Sequence, residues 1–131
     1  TAMARLSPDT GMFTAEPEHF DDTRRSLLKG ARVANEPDHT SICDAIVTRM
    51  PGERTFPINK ALVAGGYAVS DADAVAAMRI LAHELKILAE PGGAVAAAAV
   101  LGNQEQWQGR TVVAIVSGGN VDLDTWCRYV T

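Results

Sequence analysis

Residues 117–122, Ser-Gly-Gly-Asn-Val-Asp, combine a hydroxyl, an amide and a carboxylate with two adjacent glycines. They follow residues 111–116, a run of apolar or β-branched residues that is typical of a strand covered on both faces. In open α/β sheets, ligands bind beyond the carboxyl ends of the strands, and glycines let backbone approach a flat ligand. This segment is therefore a candidate ligand-binding loop. The alternative, which this segment favours when taken alone, is a tight turn in which Ser117 and Asn120 bond to nearby backbone.

A second glycine pair lies in residues 90–94, Glu-Pro-Gly-Gly-Ala, at the start of a run of small apolar residues. Main-chain N–H groups in the first turn of a helix have no partner within the helix and can bind a ligand. The alternative is that the glycines only let two helices pack closely. Taken alone, this motif favours the alternative.

Two carboxylates, Glu16 and Asp22, lie six residues apart across a predicted strand-to-helix loop. Together with a main-chain carbonyl between them, they would form an oxygen-rich half-shell suited to Mg²⁺ or Ca²⁺. The alternative is that Asp22 caps the following helix and that Glu16 is a solvated loop acid. Without further context, the alternative is favoured.

Other common catalytic arrangements are missing from the sequence. The three histidines have no zinc-ligand spacing, no serine lies in a Gly-x-Ser-x-Gly segment, and Cys43 has no evident histidine partner. Cys43 and Cys127 are the only cysteines and form no Cys-x-x-Cys pair, so no disulfide framework is predicted. A reducing, cytoplasmic setting is the default expectation.

The composition limits the class of protein. The 131 residues are 47% hydrophobic and 21% charged, with a net charge of −4, which predicts one folded domain. No block of Lys or Arg offers a surface for nucleic acid. The longest apolar run, residues 94–101, is much shorter than the roughly 20 residues that span a bilayer. Neither nucleic acid nor a membrane is expected as a partner.

Hydrophobic periodicity and turn residues divide the chain into short elements that must position these candidates. The clearest helix begins after Ser70, an N-cap residue, and its apolar side chains recur at spacings of three and four up to Leu88. Helical segments are also predicted at residues 1–6, 24–29, 42–47, 94–101 and 121–130, and strands at residues 11–15, 61–64, 67–70 and 111–116. The buried strand predicted at residues 111–116 is of the kind found in parallel sheets, so an α/β fold with a parallel sheet is predicted.

Four motifs occur in order along the chain. They are Phe13-Thr-Ala-Glu16-Pro17-x-x-x-Asp21-Asp22, Ser41-Ile-Cys-Asp44-Ala45-Ile46, Glu90-Pro-Gly-Gly-Ala94 and Ser117-Gly-Gly-Asn-Val-Asp122. In this order and spacing, they resemble the C-terminal part of the threonine/serine dehydratases and serine racemases, which are fold-type II pyridoxal-phosphate enzymes. The resemblance implies that residues 1–131 belong to the large cofactor-binding domain, a three-layer α/β/α fold with a mostly parallel sheet. It favours the ligand interpretation of each motif over its alternative.

The resemblance implies a role for each residue of the glycine-rich loop. In this family, the hydroxyl at the position of Ser117 hydrogen-bonds the pyridine nitrogen of the cofactor. A neutral hydroxyl does not force that nitrogen to be protonated, so the ring is a weaker electron sink and β-elimination of a hydroxyl is favoured. Gly118 and Gly119 would flank the ring, and Asn120 would brace the loop. Glu90 would lie on the cofactor side of the cleft.

The resemblance also implies a cation site and a residue beside the substrate. The family's Mg²⁺ or Ca²⁺ ligands correspond to the carboxylates of Glu16 and Asp22 and to the main-chain carbonyl of Phe20. At the position of Ala45, the family commonly has a glycine beside the cofactor and substrate. The additional methyl group puts the usual preference for threonine or serine in question.

The residue that forms the Schiff base in this family has no counterpart in the chain. The family's lysine lies in a Ser-Phe-Lys-x-Arg-Gly context in the N-terminal half, as does its phosphate loop, and none of Lys29, Lys60 and Lys86 has that context. Residues 1–6 also have the pattern of the last turns of a helix, and they have no N-cap residue at their start. The chain is therefore expected to be a fragment without a catalytic residue of its own. Its expected partner is the N-terminal half of the same polypeptide.

The expected function of the intact protein is that of a pyridoxal-phosphate-dependent threonine/serine ammonia-lyase, acting on a hydroxyamino acid as a homodimer. The same motifs occur in serine racemases and 3-hydroxyaspartate dehydratases, which are the alternatives within the enzyme class. An α/β binding module without chemistry is the alternative from a different class.

Overall fold

The computed structural model describes all 131 residues and shows a small parallel sheet between helices. The strands are β1, Phe13–Pro17, and β2, Gly65–Val69. The α-helices are α1, Ala2–Leu6; α2, Asp22–Lys29; α3, Phe56–Leu62; α4, Asp71–Leu85; α5, Pro91–Gly102; and α6, Leu123–Val130. Two 3-10 turns span Asp44–Ile46 and Gln104–Trp107.

The sheet has a helix on each face. The strands β1 and β2 run parallel and pair along their whole length, and successive side chains alternate between the two faces. Glu16 points towards α2, where its carboxylate accepts main-chain N–H groups, whereas Ala15 packs against the core that includes α5. The predicted three-layer α/β arrangement with a parallel sheet is confirmed.

The hydrophobic core lies between the sheet, α4 and α5. Met78 of α4 and Val95 of α5 are 0% and 1% exposed. Most other core residues are alanines, whose small side chains let the two helices approach closely. They are Ala74, Ala77, Ala89, Ala94, Ala97, Ala98 and Ala99. The small residues of α5 are therefore buried, and the start of this helix lies in the protein interior.

The helix α4 follows its predicted pattern but ends earlier. Ser70 caps it as predicted, because Ser70 Oγ accepts the N–H of Asp73 at 3.1 Å. The helix ends at Leu85, since Lys86 adopts a left-handed conformation with φ of 58°. Leu88, which continues the apolar spacing, therefore lies outside the helix.

The strand predicted at residues 111–116 is wrong for this chain. These residues form no helix or strand, because β1 and β2 pair only with each other and leave no strand beside the segment. Val113 is 79% exposed and Ile115 is 67% exposed. The composition of a buried strand is present, but a strand also needs a hydrogen-bonding neighbour.

The strand predicted at residues 61–64 is also wrong. Ala61 and Leu62 are the last residues of α3, which begins with Phe56 and carries Pro57 in its first turn. Val63 and Ala64 lead into β2. A short apolar run does not by itself distinguish a strand from a helix end.

The two cysteines are free, as predicted, and differ in environment. Cys43 is buried in the core, and this burial raises the pKa of its thiol to about 11, so the thiol stays protonated at neutral pH. Cys127 is exposed. Among the helices, none combines the length and apolar character needed to span a bilayer.

Candidate functional site

The start of α5 and the glycine-rich loop are in direct contact. The N–H of Glu90 donates to the carbonyl of Gly118 at 3.1 Å, and the N–H of Asn120 donates to Oε2 of Glu90 at 2.8 Å. A Cβ atom on Gly93 would lie only 2.8 Å from the main-chain nitrogen of Gly118. Two motifs that are about 25 residues apart in sequence therefore form one structural unit.

Gly93 and Gly119 are required by the packing of the chain itself, because a Cβ atom on either would meet main-chain atoms, and Gly118 leaves room for the Glu90 carboxylate. A Cβ atom on Gly119 would lie 2.6 Å from the carbonyl oxygen of Leu88, and one on Gly118 would lie 2.7 Å from Cδ of Glu90. Distances under 3 Å essentially never occur for real Cβ atoms. Close approach to a flat ligand was the predicted reason for these glycines. The structure gives an additional reason, and contact with a ring stays a prediction.

The polar side chains of Ser117 and Asn120, in the glycine-rich loop, make no hydrogen bond. Ser117 is exposed and its hydroxyl makes no hydrogen bond within the chain. Asn120 contributes its main-chain N–H to the contact with Glu90, whereas its side-chain amide makes no hydrogen bond. The tight-turn alternative, in which Ser117 and Asn120 side chains bond to nearby backbone, does not describe this loop.

The third motif, residues 41–46, also lies beside the start of α5. Ala45 lies in the 3-10 turn Asp44–Ile46, and its Cβ is 3.8 Å from the position that a Cβ atom on Gly92 would take. Ile46 Cγ1 is 3.4 Å from that position. Ala45 itself is exposed. The methyl group of Ala45, which could alter the substrate preference, therefore lies beside the buried start of α5.

Asp71 holds this third motif in place, which the sequence did not predict. Ser41 Oγ donates to Oδ1 of Asp71 at 2.6 Å, and the N–H of Ile42 donates to Oδ2 at 3.2 Å. Asp71 is the first residue of α4. Its position in the first turn gave no signal of a contact with a segment about 30 residues earlier in the chain.

Glu16 caps α2. Its two carboxylate oxygens accept the N–H groups of Thr23 and Arg24 at 2.9 and 2.8 Å. Burial raises the pKa of the Glu16 carboxyl, and the hydrogen bonds from Arg24 and Thr23 oppose that rise. Glu16 is therefore not the solvated loop acid of the alternative interpretation.

Asp22 is fully buried and bridges two distant segments. Its Oδ1 accepts a hydrogen bond from Asn35 Nδ2 at 2.8 Å and from Thr48 Oγ1 at 3.0 Å. Its Oδ2 is buried without a hydrogen-bond partner. Asp22 makes no N-cap bond of its own helix, so the capping role of the alternative interpretation is wrong. A buried carboxylate oxygen without a donor is a place where a cation or a water molecule would fit.

The predicted cation site would consist of two carboxylates and one main-chain carbonyl, so it is not a cluster of three acidic side chains. No group of three or more His, Cys, Asp or Glu side chains in the chain could hold a metal ion. The predicted site has only the carboxylates of Glu16 and Asp22, and the third ligand would be the carbonyl of Phe20, which accepts no hydrogen bond. The donor set is all oxygen, which is the type that Mg²⁺ and Ca²⁺ prefer.

Comparison with known proteins gives a consistent result. A model of the family "Pyridoxal-phosphate dependent enzyme" matches residues 1–118. The β-hydroxyaspartate dehydratase of Paracoccus denitrificans is 38% identical over 122 residues, covering 93% of this chain and 38% of that protein. The serine racemase of Dictyostelium discoideum is 37% identical over 123 residues, covering 92% of this chain and 38% of that protein.

The solved structure of a T.th. threonine deaminase is similar in fold. It superposes with a TM-score of 0.88 at 38% identity, covering 94% of this chain and 44% of that protein. The chain thus spans less than half the length of each of these three proteins.

Proposed function

The chain belongs to the family of pyridoxal-phosphate dependent enzymes, and from this premise we propose that it forms part of a hydroxyamino-acid ammonia-lyase. The substrate class is serine or threonine, and the products are a 2-oxo acid and ammonia. The observation that carries the proposal is the free hydroxyl of Ser117, which the contact between Glu90 and Gly118 presents at the start of α5.

The residues present fit pyridoxal phosphate. Bound in the cleft, the cofactor supplies an electron sink for the charge that develops at the substrate α-carbon. Ser117 would donate or accept a hydrogen bond at the pyridine nitrogen without adding a charge there. The loop backbone of Gly118 and Gly119 would lie beside the ring, and Ala45 would face the substrate from the 3-10 turn.

In the proposed reaction, the substrate loses its α-proton and its β-hydroxyl, which together leave as water. The resulting enamine takes up water and yields the 2-oxo acid and ammonia, so that the atoms balance. The lysine that moves the proton and the loop that binds the cofactor phosphate would come from residues outside these 131. The amino groups of Lys60 and Lys86 are already bonded to the carbonyls of Gly30 and His83, in keeping with this division of roles.

The exposed apolar segment 111–116 supports a partner within the same polypeptide. Val113 and Ile115 have the side chains of a buried strand but lie open, and related proteins are more than twice as long as this chain. We propose that this segment pairs with strands contributed by the N-terminal half of the full-length enzyme. A homodimer and a reducing cytoplasmic location belong to the same proposal.

We expect the full-length protein to form 2-oxobutyrate from threonine or pyruvate from serine when it is loaded with pyridoxal phosphate. The measurement is a coupled assay of 2-oxo acid formation with serine, threonine and 3-hydroxyaspartate as separate substrates. The 131-residue chain alone is the matched control, and we expect it to form no product.

A 3-hydroxyaspartate dehydratase is the second candidate, because the β-hydroxyaspartate dehydratase of Paracoccus denitrificans is 38% identical to the chain. Turnover of 3-hydroxyaspartate alone would establish this candidate in place of the first. Interconversion of D- and L-serine without ammonia release would identify a racemase. Lack of any turnover by the loaded full-length protein would favour a binding module.

We further propose that Mg²⁺ or Ca²⁺ binds at Glu16, Phe20 and Asp22. The support is the Oδ2 of Asp22, which is buried and has no hydrogen-bond partner. We expect either ion to raise the melting temperature of the full-length enzyme and Asp22→Asn to abolish the increase. Asparagine keeps an oxygen for the bonds from Asn35 and Thr48, so the variant isolates loss of the carboxylate charge. An equal increase in the variant would exclude the site.

A further inference from the structure

We infer that Glu90 is a positioning residue, which holds the glycine-rich loop so that the Ser117 hydroxyl is aimed at the cofactor. The inference rests on the proposed function and assigns a role to a residue whose contribution the sequence left undefined. On sequence grounds, Glu90 is a candidate for direct contact with the cofactor. The geometry points to action through the loop.

Glu90 holds the loop at two points. Its main-chain N–H donates to the carbonyl of Gly118 at 3.1 Å, and its side-chain Oε2 accepts the N–H of Asn120 at 2.8 Å. These two bonds lie on either side of Gly119. They fix the peptide groups that follow Ser117, and so they limit the directions in which the hydroxyl can point.

The first turn of α5, which anchors Glu90, is rigid. The carbonyl of Glu90 accepts the N–H of Ala94 at 3.1 Å and so begins α5, whose next three residues are buried. The helix α5 carries no charged side chain, and most of its residues lie in the core. A carboxylate at the start of a helix is also stabilised by the helix dipole. Glu90 therefore has little freedom to move towards a ligand.

The carboxylate of Glu90 already accepts a hydrogen bond from within the chain. One oxygen accepts the Asn120 N–H, and the group lies against Cα of Gly118, where any side chain would collide with it. Asn120 N–H has no other acceptor in the chain. Since a hydrogen bond to a charged acceptor is about twice as strong as one between neutral groups, loss of the carboxylate should loosen the loop. In contrast, the Ser117 hydroxyl makes no bond within the chain and is free to meet the cofactor.

The test uses the full-length enzyme and five variants: Glu90→Ala, Glu90→Gln, Ser117→Ala, the double variant of Glu90→Ala with Ser117→Ala, and Glu105→Ala. The dissociation constant of pyridoxal phosphate is measured by titration of the cofactor-free proteins. The values of kcat and KM are measured separately. Glu105 is a matched control, because it is an exposed glutamate whose side chain makes no hydrogen bond.

We expect Glu90→Ala to raise the dissociation constant about tenfold, since it removes one charge-assisted hydrogen bond. Glu90→Gln keeps a neutral oxygen acceptor for the Asn120 N–H, so we expect it to raise the dissociation constant only about threefold, which is half of the loss in free energy. Ser117→Ala should cost much less in the Glu90→Ala background than in the unmodified enzyme, because residues that act through each other give non-additive effects. Glu105→Ala should equal the unmodified enzyme.

Independent, multiplicative effects of Glu90→Ala and Ser117→Ala would overturn the inference, because they would indicate that Glu90 contacts the cofactor directly. An unchanged dissociation constant in Glu90→Ala would overturn it as well. Both outcomes are distinct from failure of the proposed function. If the proposed function failed, the unmodified full-length protein would bind no pyridoxal phosphate or form no product.

Discussion

Gly93→Ala is expected to lower the free energy of unfolding by about 1–3 kcal/mol, as for other substitutions that overfill a packed site. The added Cβ would lie 2.8 Å from the main-chain nitrogen of Gly118 and 3.0 Å from its carbonyl carbon. Main-chain atoms cannot rotate away as a flexible side chain can. The loop carrying Ser117 must therefore move, and cofactor affinity should fall together with stability.

The control for Gly93→Ala is Gly102→Ala at the other end of the same helix. A Cβ atom on Gly102 would meet no atom within 4 Å. Because alanine is a better helix former than glycine, this variant should be as stable as the unmodified protein or slightly more stable. Urea unfolding and cofactor titration of the full-length enzyme measure both effects. Equal behaviour of the two variants would show that the contact between α5 and the loop is not tight in solution.

Asp22→Ala is expected to lower the free energy of unfolding by about 2–3 kcal/mol, through loss of buried hydrogen bonds to a carboxylate. Asp22 is 0% exposed, and its Oδ1 accepts bonds from Asn35 and Thr48. Through these bonds, the first turn of α2 is linked to both ends of the segment that carries Ala45. Removal of the carboxylate should therefore disturb the position of Ala45 as well as the fold.

Two variants make the Asp22 prediction specific. Asp22→Asn retains an oxygen that can accept both bonds, so its loss of stability should be smaller than that of Asp22→Ala. Asp9→Ala removes an exposed aspartate without a side-chain hydrogen bond and should have little effect. The measurement is urea unfolding without added divalent cations. If Asp22→Ala is no less stable than Asp9→Ala, the buried bridge contributes nothing to stability.

Elements defined by local patterns were predicted well. Asp122 caps α6, which lies within the helix predicted at residues 121–130, and its Oδ1 accepts the N–H of Thr125 at 2.9 Å. Gly30 follows the helix predicted at residues 24–29 and ends α2 in a left-handed conformation with φ of 71°. Helix caps and stops depend on residues within one turn of the chain, so the sequence specifies them directly.

Segments that depend on distant neighbours were predicted poorly. Residues 111–116 have the composition of a buried strand, yet no strand of this chain lies beside them. Residues 61–64 are apolar because α3 ends there and β2 follows, and their pattern is too short to decide between helix and strand. For residues 111–116, the missing information is the identity of the neighbouring strand.

The sequence by itself determined the chemistry available to this protein. The residue types and order of the four motifs indicated the family, and the match of residues 1–118 to the pyridoxal-phosphate dependent enzymes confirmed it. The chain's three lysines lack the expected Schiff-base context. These conclusions depend only on which side chains are present and in what order.

Only the tertiary structure decided how the motifs work together. It showed that Glu90 holds the Ser117 loop, that Asp71 anchors the segment before Ala45, and that Asp22 is a buried bridge instead of a helix cap. Each of these contacts joins residues 13 to 30 positions apart. Such contacts form when packing of the helices on the sheet brings distant segments together, and no local pattern in the sequence specifies them.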